Sequence, residues 1–252
     1  MTRVIAVMNQ KGGVGKTTTT INLGHALALM GQKVALLDMD PQGQVATSYG
    51  LENDLPGLDT VLLDDVAIDD VMVEARDNLT IVPAGKRLAD YEHVSEGGSS
   101  RGHKLRAAIE NTSLQDQDMI LIDCPPSSGL LGINAMFAAT EVLVPVSSDY
   151  LSLQGLSRMM QVLKRAESIS GRDVTLWLVS TRMHIRRRLA HEVRKRILQY
   201  FPGRVFNTAI RENVSLAECP SFGKTIFEYK QKSAGAEDYF SLAKDILEGR
   251  TS

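Results

Sequence analysis

Seven residues constrain this chain more than any others: Lys11-Gly12-Gly13-Val14-Gly15-Lys16-Thr17. They follow an apolar run at 4–8 and open a stretch, 16–30, in which Ile21, Leu23, Ala26, Leu27 and Met30 recur at helical spacing before Gly31. Strand, glycine turn and helix N-terminus in that order make a cradle for phosphate. Gly12, Gly13 and Gly15 let the backbone approach phosphate oxygens, the amides from Val14 to Thr18 can point at them, and the helix end adds favourable partial charge. Lys16 is placed to neutralise β- and γ-phosphate oxygens. The Thr17 hydroxyl is placed to ligate Mg²⁺, which prefers octahedral oxygen coordination shared with phosphate and water.

Further β-rich runs stand at 34–37, 79–82, 119–122, 142–146 and 174–179, several preceded by amphipathic helical segments. This alternation predicts an α/β fold, a three-layer, mostly parallel twisted sheet with helices on both faces. Ligands collect beyond the carboxyl ends of such strands, where Asn9, Asp38, Asp123 and Pro145 fall. With 252 residues, 43% of them apolar, the chain can bury a substantial core, and no Pro/Gly/Ser-rich linker divides it, so a single domain over 1–252 is expected. Glu96-Gly97-Gly98-Ser99-Ser100-Arg101 reads as a mobile loop and 249–252 as a frayed end. The run at 4–8 is too short for a signal-peptide core, and the apolar stretch 130–146 is broken by Asn134 and Glu141, so neither secretion nor a membrane span is expected. Two cysteines, Cys124 and Cys219, are too few for a disulfide framework or a four-ligand metal site, which fits a reducing cytoplasm.

Asp38 and Asp40 follow the second strand, and alternation along an extended chain turns both toward the phosphates. The run 119–123, Met-Ile-Leu-Ile-Asp, is an apolar strand ending in an acid, and Asp123 is suited to hold a metal-bound water. Pro125 and Pro126 stop regular structure, after which Ser127, Ser128 and Gly129 make a flexible segment able to respond to a γ-phosphate. Cys124 reads as a small buried residue at the strand end.

The loop departs from the usual G-x-x-x-x-G-K-T pattern. Gln10 stands where the first glycine would fall, and Lys11 is an additional lysine. In this the sequence resembles the deviant Walker A ATPases, and more closely the ParA/Soj partition ATPases than their MinD relatives. The resemblance covers essentially the whole chain: 214–229, VSLAECPSFGKTIFEY, is similar to the family's C-terminal signature, and 233–239 to the helix start that follows. It implies a P-loop NTPase that uses ATP and Mg²⁺, with Lys11, Lys16 and Asp40 as catalytic residues. Lys11 would cross a nucleotide-sandwich homodimer to the phosphates of the opposite subunit, relieving charge that one metal leaves. Asp40 would orient the attacking water, with Asp38 in the outer shell of Mg²⁺ and Asp123 holding the metal through water. Position outweighs basicity here, because phosphoryl transfer depends on alignment and charge stabilisation. Thr181 and Arg182 match a segment that contacts adenine in relatives.

A formal charge of −2 argues against nucleic acid, but the average misleads. Between 182 and 196, Arg182, Arg186, Arg187, Arg188, Arg194, Lys195 and Arg196 stand against the single acid Glu192, a local +6 that leaves −8 on the rest of the chain. A helical pattern burying Leu189, Val193, Ile197 and Leu198 turns Arg187, Arg194 and Lys195 or Arg196 to solvent. No aromatic residue is interleaved, which suits sequence-independent duplex binding. The resemblance implies that the ATP dimer binds nucleoid DNA non-specifically, and that a ParB-like partner with a basic N-terminal peptide stimulates slow hydrolysis and release. The protein would then be cytoplasmic and nucleoid-associated, with no membrane partner. In many relatives a DNA-contact arginine stands where this chain has Ser215, so either Arg211 substitutes or the footprint shifts to the Arg186 cluster, with Lys224, Lys230 and Lys232 as further candidates.

No N-terminal helix-turn-helix extension is expected, and therefore no operator binding. A protein cargo, such as a chemoreceptor array or a carboxysome, would use the same cycle. A MinD-like membrane role needs a C-terminal amphipathic helix with a basic side, whereas 239–248 carries two acids and one lysine. A nitrogenase-type reductase needs cluster cysteines better placed than Cys124.

Overall fold

Side-chain alternation in the first strand already divides the molecule into layers. The computed structural model describes residues 2–252 except Asn53, Glu96, Asn111, Ser128 and Tyr150, and for Ser99, Leu151, Ser152, Leu153, Gln154 and Arg158 it describes the backbone alone. In chain order the elements are β1 (Arg3–Val7), α1 (Lys16–Leu29), β2 (Val34–Asp38), α2 (Gln44–Ser48), α3 (Leu58–Asp64), β3 (Val73–Arg76), β4 (Leu79–Val82), α4 (Lys104–Glu110) and β5 (Met119–Asp123). There follow α5 (Leu130–Ala138), β6 (Glu141–Ser147), α6 (Leu151–Ser170), β7 (Thr175–Met183), α7 (Arg188–Tyr200), β8 (Val205–Arg211), α8 (Val214–Glu218), α9 (Ile226–Tyr229) and α10 (Ala234–Glu248).

Among the described residues the strands form one sheet in the order β3-β4-β2-β5-β1-β6-β7-β8. Every neighbouring pair is parallel except β3 and β4. Ile5 and Val7 of β1 face the layer of α1, α2, α8, α9 and α10, packing in one cluster with Ile21, Val45, Leu216, Ile226 and Tyr239. Val4 and Ala6 face the other layer, with Leu58 of α3, Leu105 of α4, Leu131 of α5, Met159 of α6 and Val193 of α7. The expected three layers are present. A Cβ on Gly24 would stand 2.6 Å from Leu36 Cδ2, so glycine is what lets α1 lie this close to β2. The chain leaves β1 toward β2 on one side and reaches β6 on the other, which places a ligand crevice beyond the carboxyl end of β1.

Several expectations need correction. The sheet gains two strands, β3 and β8, and β7 runs on to Met183. In the segment read as a loop, Gly98–His103 is instead a 3₁₀ helix, and the Arg101 carbonyl within it accepts both the Tyr91 hydroxyl at 2.8 Å and the Asn134 amide at 2.9 Å; Glu96 lies outside the described residues. The chain end does not fray. Ser252 donates its amide to the Val205 carbonyl at 2.9 Å, and Thr251 bridges to Phe206, so the last residues cover the edge of β8.

Candidate nucleotide site and basic surface

Between β1 and α1 the chain turns through left-handed glycines, Gly13 at φ 72° and Gly15 at φ 93°. Gly15 is also the N-cap of α1, whose first-turn amides have no carbonyl of their own helix to bind and suit an anion. The loop is held from both sides. Asn9 donates to the Pro145 carbonyl at 2.8 Å and accepts the Lys11 amide at 3.0 Å. Thr181, at the end of β7, donates to the Val14 carbonyl at 2.8 Å, and Arg182 to that of Gly13 at 3.2 Å. The segment at 214–229 braces the helix behind: Thr225 bonds His25 at 2.6 Å, and the Ile226 amide donates to Asn22 at 2.9 Å.

Asp38 and Asp123 are register partners in adjacent parallel strands, and both are fully buried. Asp123 accepts the Thr17 hydroxyl at 2.7 Å and the Thr20 hydroxyl at 3.1 Å. Asp38 accepts the amides of Asp40 at 3.1 Å and Val45 at 3.0 Å. Burial pushes Asp123 up to about 7, although both hydroxyls and Lys16 oppose the rise, and Asp40 adds to it. Burial also raises Asp38, and the facing Asp123 charge adds to the shift. Two buried acids side by side call for a cation, and their carboxylate and hydroxyl oxygens fit a hard divalent ion such as Mg²⁺. Among the described residues no three His, Cys, Asp or Glu converge on one point. Asp40 is half-buried at the entry to α2 and accepts the Gln42 amide at 3.0 Å.

The two loop lysines part company. Lys16 is only 7% exposed. Lys11 instead meets both carboxylate oxygens of Asp149 at 2.6 Å, and Ser147 donates to the same carboxylate at 2.7 Å. Beside the loop lies a cavity of about 440 Å³, walled by Gly13, Val14, Thr181, Arg182, Glu212 and Tyr239 among others. Thr181 and Arg182, matched above to a segment after a late strand, lie within β7 and reach the loop from there.

On the basic surface, Arg186, Arg187, Arg188, Lys195 and Arg196 are exposed. Arg194 is not part of that face. It donates to Ser180 at 3.1 Å and to the Asn207 carbonyl at 2.7 Å, and burial lowers its pKa. Arg211 is also withdrawn, because Asp238 grips its guanidinium at 2.7 Å and Glu237 at 3.0 Å, tying β8 to α10. Ser215 is buried in the first turn of α8, its amide capped by Asn213 at 2.8 Å. Leu189, expected inside, is 49% exposed, and Ala190 is buried in its place. Cys124 is fully buried with its thiol pushed up by burial, as a structural cysteine should be.

A family model described as an AAA domain matches residues 2–175. The Bacillus subtilis sporulation initiation inhibitor protein Soj is 40% identical over 250 residues, which cover 98% of each chain. This chain belongs to the Soj/ParA family of partition ATPases. The Treponema pallidum chromosome-partitioning ATPase Soj is likewise 40% identical, over 252 residues and 98% of each chain. A Mycobacterium smegmatis structure, described as cobyrinic acid a,c-diamide synthase with bound ADP and magnesium, superposes at a TM-score of 0.84 and 32% identity, covering 98% of this chain and 94% of that one. The membership expected from Lys11 and from 214–229 is thus borne out.

Within this family fold, sequence reasoning missed Thr20 and Asp149. Thr20 lies one helical turn after Thr17, so i, i+3 spacing could have found it. Asp149 follows the end of β6, and an acid at the carboxyl end of a strand was the signal that singled out Asp38 and Asp123. Ser128, assigned to the responsive segment after β5, lies outside the described residues.

Proposed function

We propose that this chain is an ATP-dependent partition switch, acting as one cytoplasmic, nucleoid-associated domain. ATP with Mg²⁺ closes a sandwich homodimer, the dimer holds duplex DNA without regard to sequence, and partner-stimulated hydrolysis releases it. The observation that carries this reading is the separation of the two lysines. Lys16 is buried at the start of α1, where its own phosphates would sit, whereas Lys11 is a third exposed and held aside by Asp149. A cation held there suits the triphosphate of a second subunit.

Each residue then has a defined task. The amides of Val14 to Thr18 and the Lys16 ammonium bind the phosphates, with Gly12, Gly13 and Gly15 permitting the approach. Thr17 would hold Mg²⁺ directly, with Asp123 and Asp38 acting through water, and the ion would neutralise charge on the β- and γ-oxygens. Asp40 orients the attacking water by position. Thr181 and Arg182 border the base. Arg186, Arg187, Arg188, Lys195 and Arg196 follow the phosphate backbone, and dimerisation doubles the number of phosphates reached. A ParB-like protein or cargo adaptor with a basic N-terminal peptide sets the hydrolysis rate. Among the described residues no helix is long and apolar enough to cross a membrane, and α10 buries Tyr239, Leu242, Ala243 and Ile246 in the core.

Co-sedimentation with non-specific duplex DNA under ATP, ADP and no nucleotide tests the proposal, with Lys11→Ala as control. Retention is expected with ATP alone and only with Lys11 present; equal retention in all three states would overturn it.

A further inference from the structure

Arg182 and Glu212 belong to two cavities at once. Both wall the space of about 440 Å³ beside the phosphate loop, and both wall a polar cavity of about 250 Å³ that also touches Asp149, His184 and Arg187. This shared wall is bonded from end to end. Arg182 donates to the Gly13 carbonyl at 3.2 Å and meets one Glu212 oxygen at 3.5 Å. The other Glu212 oxygen pairs with His184 Nε2. The His184 carbonyl accepts the Arg187 amide at 3.1 Å, closing the turn that carries Arg186, Arg187 and Arg188. Glu212 is itself fixed, since its amide donates to the Met183 carbonyl at 3.2 Å.

A second observation marks the same place. Arg182 has φ 50°, a left-handed conformation in a non-glycine residue inside a strand, and the β7–β8 register shifts between Ser180 and Met183. Such backbone persists where the surroundings over-determine it, and it gathers at switching sites.

We infer that filling of the base cavity is transmitted through Arg182, Glu212 and His184 to the basic turn at 184–188, an inference that takes its purpose from the DNA-binding reading above. Arg182 has two available arrangements. With the cavity empty, its guanidinium is shared between the Gly13 carbonyl and Glu212. With a base present, a planar cation can lie on the π face. Glu212 is then left to His184 alone, and their pairing fixes the turn that presents three arginines. The coupling is reciprocal, so an anion gripped by the turn tightens base binding by the same factor. ADP carries the base as ATP does. This wall therefore separates loaded from empty chains, while Lys11 and Asp40 answer to the γ-phosphate.

Amide hydrogen exchange on the full chain tests the relay, with ADP and Mg²⁺ as the probe because they fill the base cavity without a γ-phosphate. ADP is expected to slow exchange of the Arg187 amide by about fivefold or more, the lower end of ordinary coupling, together with the loop amides. In His184→Ala the loop amides stay protected and the gain at Arg187 disappears; His184→Gln, which can still donate to Glu212, restores it. His184 lies outside the base cavity and its side chain is 37% exposed, so loading itself is spared. An Arg187 amide in the unaltered chain that ignores ADP overturns the inference whatever the variants do. So does undiminished protection in His184→Ala. DNA retention under ATP is measured in parallel on the unaltered chain: its absence defeats the partition reading and leaves the exchange result to decide the relay.

Discussion

Lys11 and Lys16 share a loop but not an environment, and the difference makes their substitutions separable. Lys16→Ala removes the buried cation beside the Asp38–Asp123 pair, so nucleotide binding and nucleotide-dependent dimerisation should both vanish; normal ATP-driven association in light scattering would contradict the loop assignment. Lys11→Ala should keep ATP binding and lose only the dimer. Asp40→Ala leaves the phosphate cradle intact and removes the group proposed to orient water. The expected outcome is a persistent ATP dimer, with single-turnover phosphate release slowed on the order of 100-fold or more. Rapid turnover in that variant would remove Asp40 from its role. The loop and its acids were legible because glycine spacing and strand-end position are local properties. The Lys11–Asp149 pair was not, since its members are 138 residues apart and meet only when β6 pairs with β1.

The helix α7 has two faces of different character. Val193 and Ile197 pack into the core, Arg194 reaches Ser180 of β7 and the Asn207 carbonyl of β8, and Lys195 and Arg196 remain in water. Replacing Arg186, Arg187 and Arg188 with Glu should weaken DNA binding and spare ATPase activity. The plot of log affinity against log salt should become shallower by about 0.9 for each DNA phosphate that the variant no longer neutralises; unchanged retention across a salt series would sink the basic-face assignment. Arg194→Ala should behave in the opposite way. It costs about 1–3 kcal/mol of stability through missing hydrogen bonds, read from a urea midpoint, and leaves the salt slope as it was. Charge counting along the sequence could not separate these residues, because a half-buried, hydrogen-bonded arginine and an exposed one look alike until the carbonyls of β8 are in place. The same holds for Arg211, whose acid partners Glu237 and Asp238 lie 26 and 27 residues away, in α10. The strand β8 was not legible because the polar Asn207 and Thr208 interrupt its apolar run.

Across the whole molecule, chemistry and anchorage occupy opposite ends of the sheet. The carboxyl ends of β1, β2 and β5 hold the loop and the paired acids, while the amino ends of β1 and β6 are stitched by Glu141. Its carboxylate accepts Arg3 of β1 at 2.7 and 2.9 Å and the Trp177 indole of β7, and Arg3 also donates to the Ile246 carbonyl of α10 at 3.0 Å. The layering itself was legible from apolar periodicity, whereas this stitch and the return of the chain end to β8 depend on the completed topology. Burial alone would push Glu141 up, but the Arg3 guanidinium and the indole reverse that and hold it below its ordinary value of 4.5. A depressed carboxylate gives stability that is present above 4.5 and lost as pH falls through the folded-state value. Glu141→Gln should therefore cost about 1–3 kcal/mol at neutral pH. The gap from the unaltered chain should close under acid, as the native carboxylate also becomes neutral. Nucleotide affinity should not change, because the site lies beyond the other end of the strands. A gap in urea midpoint that does not narrow as pH falls would show that the Glu141 charge is not the source of the stability, and a shift in ATP affinity at neutral pH would show that the two ends of the sheet are not energetically separate.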